Sequence, residues 1–373
     1  MRIEAVELRR VVVPLVTPFR TSFGTETARD ALLVRVLSED GEGWGECVAM
    51  SEPLYSSEHV DGAEDVTARW LVPLLLEAET AHAADVATLL APVKGHRMAK
   101  AALEMAVLDA ELNAAGVPLA QHLGATRSAV DCGVSIGIPG TIALLIDVVA
   151  RHLQEGYRRI KLKIEPGWDV EPVRAVRQRF GPDVALQVDA NSSYGRQDVA
   201  ALAALDPFDL VLVEQPFAED DLEGHAWLAS RIDTAICLDE SIGSAVDARR
   251  ALDAGACSIV NIKPGRVGGL LEAVRIHDLC LSRDVPVWCG GMLETGLGRA
   301  ANLALAALPG FTLPGDISAS SRYFERDITE PFVLRDGQLD VPTSPGIGVR
   351  PIPAILDGVT TRSRTIRRDG ASE

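Results

Sequence analysis

The sequence predicts an α/β protein: a parallel βα barrel or a doubly wound sheet, preceded by a smaller α+β unit. Two observations carry this expectation. From about residue 130, short Val/Ile/Leu runs of the kind buried on both faces of a sheet alternate with helical stretches. Five of those runs stop at an ionisable residue, at nearly constant spacing. The length of 373 residues suits two units, since single domains cluster near roughly 100–200 residues, and suits a barrel with a smaller partner equally.

Residues 1–50 are β-rich, with strands expected over 3–14, 31–37 and 44–48 and Asp40-Gly41 as the turn between the last two. Segment 18–27 (PFRTSFGTET) is polar and contains a glycine, and reads as a mobile loop. Residues 60–123 read as Ala- and Leu-rich helices punctuated by Pro73, Pro92 and Pro118. The buried-type strands fall at 130–137, 159–164, 185–191, 210–216, 235–240, 258–264, 285–291 and, weakest, 311–316. Helices lie between them. In 169–180, for example, Val170, Val173, Val176 and Phe180 recur at helical spacing and Pro172 sits in the first turn. Residues 325–373 revert to Pro/Gly-rich strand and coil, ending in a basic tail (RSRTIRRDG) expected to be disordered. The units expected are therefore 1–125, 126–324 and 325–373.

The charge balance is 36 Lys+Arg against 53 Asp+Glu, a net −17, which argues against nucleic acid or an anionic membrane as partner. No apolar run reaches the roughly 18 residues of a membrane span. The opening MRIEAVELRR carries Glu4 and Glu7 and reads as a strand rather than a signal peptide. The six cysteines are scattered singly and read as buried thiols, and the seven histidines show no H-E-x-x-H. A cytoplasmic enzyme or binding protein is expected.

The five strand-end residues are Lys163, Asp189, Glu214, Asp239 and Lys263, with gaps of 26, 25, 25 and 24. One βα unit takes about 25–30 residues, so the gaps match the repeat and all five groups arrive at the C-terminal face of the sheet. Side chains alternate along a strand, so Lys161 shares a face with Lys163, Asn191 with Asp189, and Asn261 with Lys263. In an eight-stranded barrel, Lys163 on the second strand and Lys263 on the sixth oppose each other, with the three carboxylates on the half-circle between them.

Three converging carboxylates repel one another and call for a hard divalent cation, for which Mg²⁺ with oxygen ligands is the natural choice and Mn²⁺ or Co²⁺ a substitute. Two opposed lysines suit removal of a proton from one face of a carbon and its return on the other. Such a base must fall by about 2–3 units from its reference pKa near 10.4, for which Lys161, the metal and Arg266 would supply the positive field. The metal would hold a substrate carboxylate and stabilise the enediolate left by α-proton loss. One charged strand end alone is ordinarily a solvated loop residue; five at one repeat length are not.

The motifs KLK at 161–163, VDAN at 188–191, EQP at 214–216, DES at 239–241 and NIKPGRVGG at 261–269 resemble those of the enolase superfamily. A lysine on each side resembles the muconate-lactonising subgroup. The stretch 290–318 together with SASSRYFERDI is similar to the o-succinylbenzoate synthase / N-acylamino acid (N-succinylamino acid) racemase family. The resemblance spans essentially the whole chain. It implies a modified TIM barrel, (β/α)7β, with an α+β capping domain built from the N-terminal segment and the C-terminal tail. It implies Asp189, Glu214 and Asp239 as metal ligands, Lys163 and Lys263 as acid/base groups, and Lys161 and Asn191 at the substrate carboxylate. It further implies that Ser135, Gly291, Met292 and Leu293 line the acyl part, that the substrate is a small carboxylate, and that the chain forms a homo-oligomer. In the dehydration Lys163 would act as base and then acid; in racemisation the lysines would exchange roles with substrate handedness. A muconate-type cycloisomerase or a dipeptide epimerase is the neighbouring alternative, although the D-x-D that holds an epimerase substrate's ammonium reads Asp316-Ile317-Ser318 here.

Phe19, Phe23, Met50 and Tyr55 in two N-terminal segments are expected either to pack between domains or to form a specificity lid. His96, His122, His277 and Trp168 read as structural. Gly296-Leu297-Gly298-Arg299-Ala300-Ala301 satisfies G-x-G-x-x-A, but after the seventh strand rather than the first, which disfavours a nicotinamide oxidoreductase. Its glycines are expected to let the helix they open offer its N-terminal amides to a substrate carboxylate. A non-catalytic acyl-amino-acid-binding protein would gain nothing from opposed lysines.

Overall fold

Strands β1 (Ile3–Arg20), β2 (Thr25–Ser38) and β3 (Gly41–Cys47) open the chain. The computed structural model describes residues 1–369. Further strands are β4 (Ala129–Asp131), β5 (Gly133–Ile136), β6 (Arg159–Lys163), β7 (Ala185–Asp189), β8 (Val213–Glu214), β9 (Ile236–Leu238), β10 (Ile259–Ile262), β11 (Val287–Cys289), β12 (Gln338–Asp340) and β13 (Thr360–Arg367). Strands β5 to β11 form a seven-stranded parallel sheet in sequential order, and the antiparallel sheet β13-β1-β2-β3 forms the cap. The buried core runs through both.

Two expected barrel strands depart from simple ladders. Segment 130–137 divides at Cys132: β4 pairs antiparallel with β12, while β5 joins the barrel. The partner changes there, since the Cys132 amide donates to the Gly337 carbonyl and the Gly133 amide to the Gly315 carbonyl. Segment 311–316 closes the barrel through bridges from Phe311 to Val287 and from Gly315 to Cys132. Pro314, which has no N–H to give, interrupts any longer ladder.

Two further expectations are corrected. Segment 18–27 is not an irregular loop but the tip of the β1–β2 hairpin, in which Phe19 pairs with Glu26 and Arg20 with Thr25. The tip is docked on the barrel: the Ile138 amide donates to the Arg20 carbonyl at 2.9 Å, and Arg20 pairs with Glu165 at 2.7 Å. Most of the basic tail is strand β13, with Val6 opposite Ile366 and Leu8 opposite Arg364. The open edge of β1 supplies backbone partners, and Glu64 takes the charge of Arg362 at 2.7 Å. The last glycine of the tail, Gly370, lies outside the described residues.

Cap and barrel meet along the helix Arg97–Ala115. Its alanines let β3 approach so closely that a Cβ on Gly45 would fall 2.0 Å from the Ala102 carbonyl oxygen. From the same helix, buried Glu104 accepts a hydrogen bond from the Leu271 amide at 3.0 Å, at the start of the barrel helix Leu270–Leu281. Burial pushes the Glu104 carboxyl up to about 7, against the pull of the backbone amides. The folded state then holds this proton more tightly than the unfolded chain. The associated stability is complete below the ordinary glutamate value of 4.5 and is lost as pH rises through about 7. Glu104→Gln is expected to flatten the fall in unfolding free energy across that window, by up to about 3 kcal/mol. Urea titrations at a series of pH values read it; an unchanged slope contradicts it.

Candidate active site

The barrel register sets the functional groups side by side. Lys163 pairs with Asp189 and Asp189 with Glu214 across the ends of β6, β7 and β8. Strands β9 and β10 stop one residue short of Asp239 and Lys263. Trp288 on β11 is fully buried beneath the site, donates its indole N–H to Cys237 Sγ at 3.3 Å and carries the Lys161 ammonium over its ring at 4.8 Å.

Each carboxylate is met by cationic or amide donors. Lys163 Nζ donates to Asp189 Oδ2 and to Asn191 Oδ1, both at 2.6 Å. Lys263 Nζ donates to Asp239 Oδ2 at 2.7 Å and to the Tyr55 hydroxyl at 3.1 Å. Lys161 Nζ lies 2.8 Å from Glu214 Oε2, 3.0 Å from Asp189 Oδ2 and 2.5 Å from Asp316 Oδ2. Asn261 Nδ2 donates to Glu214 Oε1 at 2.6 Å, and Arg266 Nε stands 2.8 Å from Asp239 Oδ1.

The electrostatics follow from these contacts. Burial pushes the Glu214 carboxyl up to about 8, reinforced by the negative charges of Asp189 and Asp239. Burial would raise Asp189 too, but Lys163 and Lys161 hold it well below the usual range. For Lys263, burial acts downward yet Asp239 above all keeps it well above its ordinary value. The lowering expected for a base therefore does not come from the polypeptide's own groups at Lys263. Arg266, expected to repel that lysine from the other side, shares Asp239 with it, and the carboxylate outweighs the repulsion.

One cavity collects the predicted residues. Phe19, Phe23, Met50, Ser135, Lys161, Lys163, Asn191, Lys263, Gly291, Met292 and Leu293 all line it, so the two lysines face a common space of about 50 Å³. Phe19 meets Tyr323 edge-to-face at 6.2 Å, and Phe23 lies 5.9 Å from Tyr55, which places the hairpin tip over the barrel mouth. Sequence reasoning assigns no site role to Glu26, Thr21 and Tyr323, which also line the cavity. Their types carry no signal of their own, and only the hairpin register and the close packing of the last barrel segment put them there. Asp316, which the sequence offers only as half of an incomplete motif, accepts from Ser135 Oγ at 2.9 Å and from Arg159 Nη1 at 2.6 Å.

The helix Gly296–Ala306 does not offer its first amides to a substrate as expected. Gly296 N donates to Asp327 Oδ1 at 2.8 Å and Gly298 N to Glu46 Oε2 at 3.0 Å, so the protein's own carboxylates occupy that positive end.

Asp189, Glu214 and Asp239 lie beneath the lysines and are almost completely buried. Their chemistry fits a hard divalent cation: three carboxylates at neighbouring strand ends, one of them raised by burial and by the charge of the other two. Among the described residues no three His, Cys, Asp or Glu side chains are placed to share an ion, and Lys161 Nζ stands between Asp189 and Glu214.

The chain matches "Mandelate racemase / muconate lactonizing enzyme, N-terminal domain" over residues 3–124 and "Enolase C-terminal domain-like" over residues 145–355. It is 65% identical to an N-succinylamino acid racemase of Amycolatopsis, covering 97% of this chain and 98% of that one. It is 53% identical to an o-succinylbenzoate synthase of Geobacillus kaustophilus, covering 93% of each. A solved enolase-superfamily protein from Listeria innocua superposes with a TM-score of 0.94 at 40% identity, over 99% of this chain and 100% of that one. Enzymes of this superfamily generally use a divalent metal. With both family models matched along nearly the whole chain and close relatives covered end to end, the chain belongs to the mandelate racemase / muconate lactonizing enzyme family of the enolase superfamily.

Proposed function

We propose that the protein is an N-succinylamino acid racemase / o-succinylbenzoate synthase, working by divalent-metal-dependent removal of a proton α to a carboxylate. The observation that carries this reading is that Lys163 and Lys263, from the second and sixth barrel strands, line one cavity above three buried carboxylates. Two relatives with these activities, at 65% and 53% identity over nearly the full chain, support it.

Asp189, Glu214 and Asp239 would hold the cation, with Mg²⁺ preferred by their all-oxygen donor set. When bound, it supplies positive charge at the substrate carboxylate as the α-proton leaves. It would also offset the negative field that keeps Lys263 protonated, which frees an amine to act as base at neutral pH. Lys163 takes the proton from one face; Lys263 returns one to the other, and the opposite enantiomer uses them in reverse. In the dehydration Lys163 acts as base and then delivers the proton to the leaving hydroxyl, while Lys263 steadies the enediolate.

Lys161 and Asn191 border the substrate carboxylate, and Ser135 with Gly291, Met292 and Leu293 form the acyl wall. The present free space is small beside the roughly 300–1,000 Å³ typical of ligand pockets, so substrate entry requires the hairpin tip and the segment around Met50 to move outward. Arg29 anchors the root of that segment through the carbonyls of Cys47 and Ala49, each at 3.1 Å. Six free, buried cysteines suit a reducing compartment such as the cytoplasm. No helix among the described residues is long and apolar enough to cross a membrane.

Lys163→Ala and Lys263→Ala should each abolish racemisation of N-succinylamino acids, by about 10³-fold or more. Each variant should still exchange the α-proton of one enantiomer in D₂O, and the two variants opposite ones. Proton NMR of each enantiomer decides it; loss of both exchanges in both variants contradicts a two-base mechanism. Adding Mg²⁺ should raise the Tm of the chelator-treated protein, and Glu214→Gln should remove most of that rise. An equal shift in the variant, read by calorimetry, would dismiss Glu214 as a ligand.

A further inference from the structure

Four directions meet at the α-carbon of an N-acylamino acid, and three are taken on the proposed racemase function, on which this inference rests. The α-hydrogen lies on the line between Lys163 and Lys263. The carboxylate points to the strand-end carboxylates with their cation, and the acyl group to Ser135 and Gly291–Leu293. The amino-acid side chain is left with the hairpin wall, where Thr21, Phe23, Glu26, Met50 and Tyr55 line the cavity.

That wall is apolar and aromatic except for Thr21, the Tyr55 hydroxyl and one carboxylate. Glu26 has Ser51 Oγ as its hydrogen-bond partner, 3.3 Å from each oxygen, and no cation paired to it among the described residues. Arg29, the nearest basic residue along β2, sits an odd number of positions away, on the other face of the strand. Its guanidinium is committed to the Cys47 and Ala49 carbonyls and to Met50 Sδ. Lys163 and Lys263, across the cavity, are committed to Asp189 and Asp239. Burial pushes the Glu26 carboxyl up; Ser51 and the charge of Arg29 pull it down without cancelling that rise, and Glu52 and Asp30 add to it. Beyond it opens a groove of about 310 Å³, bordered by Glu26, Ser51 and Glu52 and by no lysine or arginine among the described residues.

We propose that Glu26 sets the side-chain specificity of this enzyme, selecting N-acylamino acids whose side chain ends in a cation, of the lysine or arginine type. The aliphatic stem of such a side chain lies along Phe23 and Met50, and its terminal ammonium or guanidinium reaches the Glu26 carboxylate and the mouth of the outer groove. An apolar side chain of equal length strips water from that carboxylate and returns nothing to it.

The test compares N-succinyl-L-lysine and N-succinyl-L-arginine with N-succinyl-L-norleucine, which has the same reach without the charge. The wild-type protein and Glu26→Gln are assayed for racemisation, and binding to the Mg²⁺-loaded proteins is measured by calorimetry. The wild type should favour the basic substrates by about tenfold or more in kcat/KM. Glu26→Gln should lose about 10- to 100-fold on them, mainly through KM, and stay within about threefold on norleucine. Retained norleucine turnover also reports that the variant is folded. Glu26→Lys should shift preference toward N-succinyl-L-glutamate. Equal treatment of basic and apolar substrates by the wild type, or parallel losses on both in Glu26→Gln, overturns the proposal. Glu26-dependent binding selectivity without turnover of any of these substrates would uphold the specificity assignment and overturn the catalytic reading instead.

Discussion

Asp189, Glu214 and Asp239 stand on three neighbouring strands, almost wholly removed from water, and their mutual repulsion has to be answered by positive charge. Much else in the barrel mouth follows from that requirement. Lys161 is drawn down between Asp189, Glu214 and Asp316, Lys163 onto Asp189, and Lys263 together with Arg266 onto Asp239. Amide groups of Asn191 and Asn261 fill remaining hydrogen-bonding positions. Burying unpaired charge at this depth is prohibitively costly, so the network is well determined even though each member has a polar side chain. Under the proposed function, a cation held by these carboxylates would take over part of that balance and make an amine available as base.

The two structural units divide the labour. Chemistry sits on rigid strand ends, where a parallel sheet fixes position to within the register. In the proposed function, the variable part of the substrate would be met by the tip of a long hairpin and by the segment around Met50, both from the cap. These contacts are aromatic and replaceable one at a time, so a change of side-chain preference there need not disturb the lysines.

The barrel and its reactive groups are legible because the βα repeat has a nearly fixed length. Lys163, Asp189, Glu214, Asp239 and Lys263 announce themselves by spacing, and alternation then adds Lys161 and Asn191. What stays hidden in the sequence depends on distant partners. The basic tail reads as frayed until β1 is seen to lack a neighbour on that edge. Segment 18–27 reads as a loop because its polar residues hide a hairpin whose register pairs Phe19 with Glu26. The resting state of Lys263 is hidden too: counting nearby lysines omits the carboxylates that outweigh them in the polypeptide itself.

The helix after β11 has a carboxylate from each side of the molecule at its head. Glu46 arrives from β3, 252 positions away, and meets Thr295 as well as Gly298; Asp327 arrives from the segment beyond the barrel. Cap and barrel therefore share one helix terminus, and neither unit presents a finished surface without the other. Modularity ends at that joint. A cap transplanted from a distant relative would bring new hairpin residues to the barrel mouth, but unless it also carried an acid at the position of Glu46 it would leave the Thr295 and Gly298 amides without their acceptor. The fold thus permits its specificity to drift by substitution within the hairpin far more readily than by exchange of whole domains.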